Sequence, residues 1–240
     1  MIITTSWDDG DILDERVAEM LDRHGLTGTF YIARNHRPKR LSEAGIRMLA
    51  ARFEVGAHTL NHPDLTTLAP ASQKSEIAGS KAWLEDITGK PVTMFCYPCG
   101  RFDRKTKQAV RQAGFRGART IRQFSVTPPR DHFALRTTLQ VHPNVLRRNT
   151  LRDLGHYLIH GALGAAFPAA LWAKSLHGRN NWSRMADLLL AAAAAGEGGV
   201  FHLWGHSWEI EEKAMWRECD AFLRSISGLG FRPRSNAEIC

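Results

Sequence analysis

The chain opens Ile2-Ile3-Thr4-Thr5-Ser6-Trp7-Asp8-Asp9-Gly10, runs on through Asp11 to His24, and returns after Gly25 to a β-rich stretch at Thr27 to Ala33. The first stretch is β-branched and apolar, and it ends in two carboxylates and a glycine, as a strand does when it enters a turn. Asp11 to His24 sets Ile12, Val17, Met20 and Leu21 on one helix face, and Gly25 stops that helix. Strand, helix, strand in so short a span is a βαβ unit. It lays its two strands parallel through a right-handed crossover.

The same alternation continues outward. Leu41 to Ala51 is helical with Ser42 as N-cap, Phe53 to Ala57 is a strand, and Pro70 to Thr88 is a long helix. Val92 to Tyr97 is a strand, Arg104 to Ala113 a helix ending at Gly114, and Phe133 to Val141 a further strand. A mostly helical region follows from Asn149 to Ala195, with an apolar middle and a polar break at Gly178-Arg179-Asn180-Asn181. Gly199 to Trp204 reads as the last strand and Glu211 to Ile226 as the closing helix. The expected fold is α/β: a distorted (β/α) barrel of about seven parallel strands, forming a single domain over residues 1–240.

With 43% hydrophobic and 23% charged residues in 240, the chain belongs to the ordinary soluble globular class. Its net charge of +8 favours anionic partners. The basic residues are scattered apart from local clusters such as Arg34 to Arg40, so no nucleic-acid partner is expected. Four cysteines do not make a disulfide scaffold. The N-terminus shows no charged n-region followed by an apolar stretch, and Gly161 to Ala173 is too short for a transmembrane segment and contains Pro168. These features set a cytoplasmic location as the expectation. The apolar segment 158–176 reads as a lid, a dimer surface, a lipid-contacting patch or a plain buried helix.

In a parallel barrel the functional groups gather at the C-terminal strand ends. Asp8 and Asp9 follow the first strand, His58 and His62 the third, Tyr97 to Gly100 a middle strand, and His206 the last. Adjacent carboxylates cannot point the same way, so one can bind a cation while the other handles protons; Asp-Gly is also a common turn pair. His58 and His62 are four residues apart, which on a helical turn turns two imidazoles toward one metal. Two histidines and one aspartate leave coordination positions open, a catalytic rather than a structural arrangement.

Ser6-Trp7-Asp8-Asp9-Gly10 and His58-Thr59-Leu60-Asn61-His62-Pro63 resemble the first two motifs of the polysaccharide deacetylases, carbohydrate esterase family four. Phe95 to Gly100 is similar to the third motif, and Leu203 to His206 sits where the fifth belongs. The resemblance implies one divalent metal on Asp9, His58 and His62, zinc first, with cobalt or nickel as alternatives. It implies Asp8 as general base, the backbone N–H of Cys99 as oxyanion donor, and a histidine as general acid. His206 is the candidate acid and His202 its rival. Tyr97, Trp204 and Trp208 are the aromatic candidates for substrate contact, although tryptophans beside His206 are equally ordinary core residues.

Two departures stand out. The third motif reads Phe95-Cys96-Tyr97-Pro98-Cys99-Gly100, so its usual arginine is Cys96, and Arg136 is the candidate to reach Asp8 instead. The fourth motif is not recognisable. Cys96 and Cys99 also form a C-x-x-C, which invites a redox reading, but two packing thiols account for it more simply. The implied reaction is removal of an N-acetyl group from an amino sugar or short glycan. Hydrolysis of a non-sugar amide and a catalytically silent carbohydrate-binding relative are the alternatives. The oligomeric state stays open.

Overall fold

The computed structural model describes residues 1–144 and 182–240. Its elements are β1 (Ile2–Asp9), α1 (Asp14–Arg23), β2 (Thr29–Ile32), α2 (Glu43–Arg52), β3 (Glu54–Ala57), α3 (Pro70–Thr88), β4 (Met94–Cys96), α4 (Arg104–Gln112), β5 (Gly117–Arg119) and β6 (Leu139–Gln140). A helix at Trp182–Ala195, β7 (Val200–Gly205), helices at Ser207–Glu212 and Trp216–Ser227, and the short β8 (Arg232–Pro233) complete it. The strands lie in the order β5-β4-β3-β2-β1-β7-β6, with β8 beside the start of β1. Every pairing is parallel, as the βαβ reading requires.

The sheet curls because one crossing segment bonds both of its ends. Leu135 N–H donates to the Ala118 carbonyl (2.8 Å) and the Leu135 carbonyl accepts from Thr120 (2.9 Å), on the β5 side. Three residues on, Thr138 N–H donates to the His202 carbonyl of β7 (2.8 Å). The architecture is the expected distorted (β/α) barrel.

Strand alternation divides the buried residues into two populations. Trp7, Phe30, Phe95 and Leu203 belong to the main core between sheet and helices. Tyr31, Met94, Cys96 and Leu135 form a second cluster, onto which the C-terminal Ala237, Ile239 and Cys240 pack. Thr4, Ser6, Asp8, Arg119 and His202 are buried as well. Such polar groups cost about 1–3 kcal/mol each if left unpaired, and partners are supplied for most of them, Arg119 Nε and Nη1 and His202 Nδ1 having none among the described residues. Ser6 Oγ lies 2.9 Å from His202 Nε2, Asn236 Nδ2 donates to Thr4 Oγ1 (2.8 Å), and Tyr31 OH donates to Asn236 Oδ1 (2.8 Å).

Three local expectations change. The strand expected over Phe133 to Val141 shrinks to Leu139–Gln140, because the Asp131 side chain accepts from Phe133 N–H and starts a 3-10 turn at His132–Ala134. The closing helix is split in two at 213–215, where Ala214 adopts a left-handed φ of 53°. Of the helical region Asn149 to Ala195, only Trp182–Ala195 is described, and it is helical; the 158–176 segment and the Gly178 to Asn181 break lie outside the described residues. Among the described residues no helix is long and apolar enough to cross a membrane.

Candidate functional site

The end of β1 separates its two carboxylates. Asp9 has φ 84° and Gly10 φ 71°, and a Cβ at Gly10 would sit 2.6 Å from Ile32 Cγ2. Only glycine fits this turn, and the turn sends Asp8 and Asp9 to different partners. Asp9 Oδ1 lies 3.6 Å from His58 Nε2 and 3.6 Å from His62 Nε2. Its Oδ2 accepts from Trp208 Nε1 at 2.9 Å and lies 3.7 Å from His36 Nε2 and 4.0 Å from His206 Nε2.

His58 and His62 meet Asp9 without a helix. The His58 to His62 segment is a loop in which Thr59 (φ 70°) and His62 (φ 56°) take left-handed conformations. The helical-turn expectation is corrected accordingly. The cause is Glu76 of α3, whose Oε2 accepts from the N–H groups of Leu60 and Asn61 (2.9 Å each), while Thr59 Oγ1 accepts from His62 N–H (2.9 Å). Strained φ values gather at functional sites when the surroundings over-determine them. Asp9, Thr59, His62 and Cys99 are four of the six non-glycine residues with positive φ among the described residues.

The donor chemistry suits a divalent ion. His58 Nδ1 donates to the Cys96 carbonyl (2.8 Å), which turns Nε2 toward Asp9. Burial disfavours the charged ring, but Cys96 and Asp9 outweigh it and hold its pKa well above normal, so an ion would displace the Nε2 proton. Burial, reinforced by His58, pushes His62 down to about 3, so its ring is neutral at ordinary pH. Two ligands of one ion with bonds of about 2.0–2.2 Å lie roughly 3–4 Å apart, which is the Asp9–His58 and Asp9–His62 spacing. Among the described residues two groups bring all their ligand atoms within 4.8 Å: one is Asp9, His36 and His62, and the other is Asp8, His58 and Cys96. The Asp8, His58 and Cys96 group is unsuited to an ion, because Asp8 is already paired, His58 Nδ1 is committed and burial raises the Cys96 thiol.

Asp8 pairs with Arg119, at the end of β5, through the guanidinium Nη2. This corrects the expectation for Arg136. Arg119 is the parallel-register partner of Cys96 across β4 and β5. The positive charge therefore stands one strand over from the usual arginine position, where the small Cys96 leaves room. The guanidinium lies 5.2 Å from the Tyr31 ring centroid and 4.8 Å from that of Trp204. Burial disfavours its charge, but Asp8 outweighs burial and holds its pKa above the usual arginine value.

Across the cavity, His206 Nδ1 is 2.7 Å from Glu209 Oε2, which also accepts from Gln140 Nε2 (2.8 Å). Burial lowers the His206 pKa, yet the Glu209 hydrogen bond and the Asp9 and Asp8 charges together raise it above normal. His202 differs: burial and the Arg119 charge push it down to about 3, and its Nε2 faces Ser6. His202 is a neutral structural histidine.

A cavity of about 260 Å³ joins Asp8, Asp9, His58, His62, His206 and Cys99. Cys99 has φ 53°, and among the described residues its N–H donates to no backbone carbonyl. The three aromatic candidates line the cavity, but each is already engaged. Tyr97 OH donates to the Phe133 carbonyl (3.0 Å), Trp204 is covered by Arg119, and the Trp208 ring lies 4.3 Å under Arg37 while its N–H holds Asp9.

The polysaccharide deacetylase family model matches residues 2–118. Over those residues the chain reads as a divergent member of that family. A peptidoglycan-N-acetylmuramic acid deacetylase of Bacillus subtilis is 30% identical over 83 residues, 35% of this chain and 31% of that protein. This chain spans less than half the length of the curated relatives it matches. Two solved structures share the fold. A family 4 acetyl xylan esterase from Clostridium thermocellum, in complex with a cobalt ion, is 14% identical, with a TM-score of 0.61 over 100% of this chain and 90% of that one. A CE4 family pseudoenzyme from Bacillus anthracis is also 14% identical, with a TM-score of 0.58 over 99% and 64%.

The stretch that matches the polysaccharide deacetylase family ends at residue 118, so Arg119, Gln140, His206 and Glu209 all lie beyond it. Sequence reasoning missed His36, Glu76, Arg119, Gln123 and Gln140 as site residues. Glu209 carried a signal in its i+3 spacing from His206. Arg119 carried none, since only strand register brings it to Asp8.

Proposed function

We propose that this chain is a metal-dependent deacetylase that hydrolyses the N-acetyl group of an amino sugar or short glycan. The observation that carries the reading is one cavity in which Asp9 is flanked by His58 and His62 on one oxygen, with Asp8 on an arginine and His206 on a glutamate at its sides. Asp9, His58 and His62 would hold the ion, zinc or a similar borderline metal. When bound it supplies Lewis acidity to the acetyl carbonyl and eases deprotonation of water.

The chain's own groups do the rest. Asp8, fixed by Arg119, takes the proton of the water that attacks the acetyl carbon. The Cys99 N–H, on the cavity wall, is the donor to the oxyanion that forms in this reading. His206 presents Nε2, its Nδ1 oriented by Glu209, and gives its proton to the nitrogen as the C–N bond breaks. The products are acetate and a free amine. A silent-relative reading draws its force from the missing third-motif arginine and the unrecognisable fourth motif; Arg119 answers the first of these by supplying a guanidinium to Asp8. The test is acetate release from a panel of N-acetylated amino sugars and small cyclic and linear amides. Asp8→Asn is expected to abolish release on the sugars while leaving ion content unchanged. Undiminished release by the variant would sink the role of Asp8, and activity confined to the amides would overturn the sugar assignment.

A further inference from the structure

His36 belongs to no motif, and its position relative to Asp9 is unusual. Its Nε2 is 3.7 Å from Asp9 Oδ2, nearly the separation of His58 and His62 from Oδ1. Ligand atoms of Asp9, His36 and His62 all lie within 4.8 Å of one another. The His36 ring stacks on His62 with centroids 3.9 Å apart and planes at 22°. Among the described residues the ring makes no hydrogen bond of its own.

The loop holds His36 there from both sides. Asn35 N–H donates to the Leu60 carbonyl (2.8 Å) and Asn35 Nδ2 to Asn61 Oδ1 (2.9 Å), so this loop is tied to the one bearing His58 and His62. Arg37 Nε donates to Asp11 Oδ2 (3.0 Å), and its guanidinium lies over Trp208, whose indole N–H holds Asp9. A histidine positioned by both of its neighbours, its Nε2 turned to Asp9 and neither nitrogen hydrogen-bonded among the described residues, has the preorganisation a ligand needs.

We propose that His36 is a fourth protein donor to the ion held by Asp9, His58 and His62. The proposal rests on the metal reading above. A set of three imidazoles and one carboxylate selects zinc, cobalt or nickel over magnesium and calcium, which prefer oxygen donors. It also occupies a position that a three-ligand site leaves to water or substrate.

The experiment titrates metal-free wild type, His36→Ala and His36→Phe with zinc against a chromogenic chelator, and counts imidazoles on bound zinc by X-ray absorption. His36→Phe keeps an aromatic ring stacked on His62 and removes only the nitrogen. The expected result is one equivalent in all three proteins, three imidazoles in the wild type and two in both variants. Affinity in both variants should fall by more than the roughly tenfold that loss of an outer-shell partner costs. Wild-type affinity and an unchanged imidazole count in His36→Phe would overturn the proposal and leave His36 a packing residue. A second wild-type equivalent lost in the variants would also overturn it, because His36 would then serve a separate ion. Wild-type protein that binds no zinc fails at the earlier step and takes the metal reading with it.

Discussion

Replacing Arg119 with methionine leaves the Asp8 carboxylate buried without its counter-charge. The two side chains are 0% and 3% exposed, so water cannot take over the role of the guanidinium. Removing one partner of a buried pair costs about 3–5 kcal/mol. The lost contacts with Tyr31 and Trp204 add a smaller amount, and the methionine chain refills most of the space. The expected loss is therefore about 4 kcal/mol, or roughly 1.5 M in urea midpoint for a slope of about 2–3 kcal/mol/M. Unfolding should be followed in the presence of a chelator, so that ion binding does not contribute. Asp8→Asn combined with Arg119→Met removes both charges and should cost less than the sum of the singles by about 2–3 kcal/mol. The same cycle with Arg136→Met should be additive within about 0.5 kcal/mol. A loss under about 1 kcal/mol for Arg119→Met, or coupling that appears with Arg136 instead, would refute the pairing.

Because Cys96 and Arg119 are register partners, the exchange Cys96→Arg with Arg119→Cys should retain a folded protein. Cys96→Arg alone adds a second buried cation and should unfold at clearly lower urea. His202 has a folded pKa of about 3 against an ordinary value of 6.5, so the unfolded state takes up its proton first. That stability is complete above pH 6.5 and drains away as pH falls toward 3, by about 5 kcal/mol in all. His202→Gln should flatten this part of the urea midpoint against pH curve, and a curve of unchanged slope would refute the assignment of a buried neutral ring. Trp208→Phe removes the N–H on Asp9 Oδ2 and should weaken zinc binding roughly tenfold or more. Equal affinity in a competition titration would show that the indole only walls the cavity.

The parallel order of the strands and the turn at Asp8-Asp9-Gly10 were legible in the sequence, because each follows from residues a few positions apart. Although the Ile32 methyl that forces the glycine arrives from β2, alternation, helix periodicity and the Asp-Gly turn pair are local matters. So was the approach of His58 and His62 to Asp9, though the turn that achieves it is a left-handed loop held by Glu76 and not a helix. The guanidinium on Asp8 was not legible. Arg119 and Arg136 both follow short apolar stretches, and only the register of β4 against β5 sets Arg119 beside Cys96. His36 sits in a basic loop with no periodicity, and its place at Asp9 depends on Asn35 meeting Leu60 and Asn61. The tryptophans teach the same lesson. Their presence near His206 is a fact of sequence, but whether a sugar can reach their faces depends on Arg37 and Arg119, which arrive from distant strand ends. Sequence by itself determined that Asp8, Asp9, His58, His62 and His206 stand at the mouth of the barrel, since strand ends are set by local pattern. Tertiary structure alone decided which charges they meet there, because those partners come from strands and loops that only the closed sheet brings together.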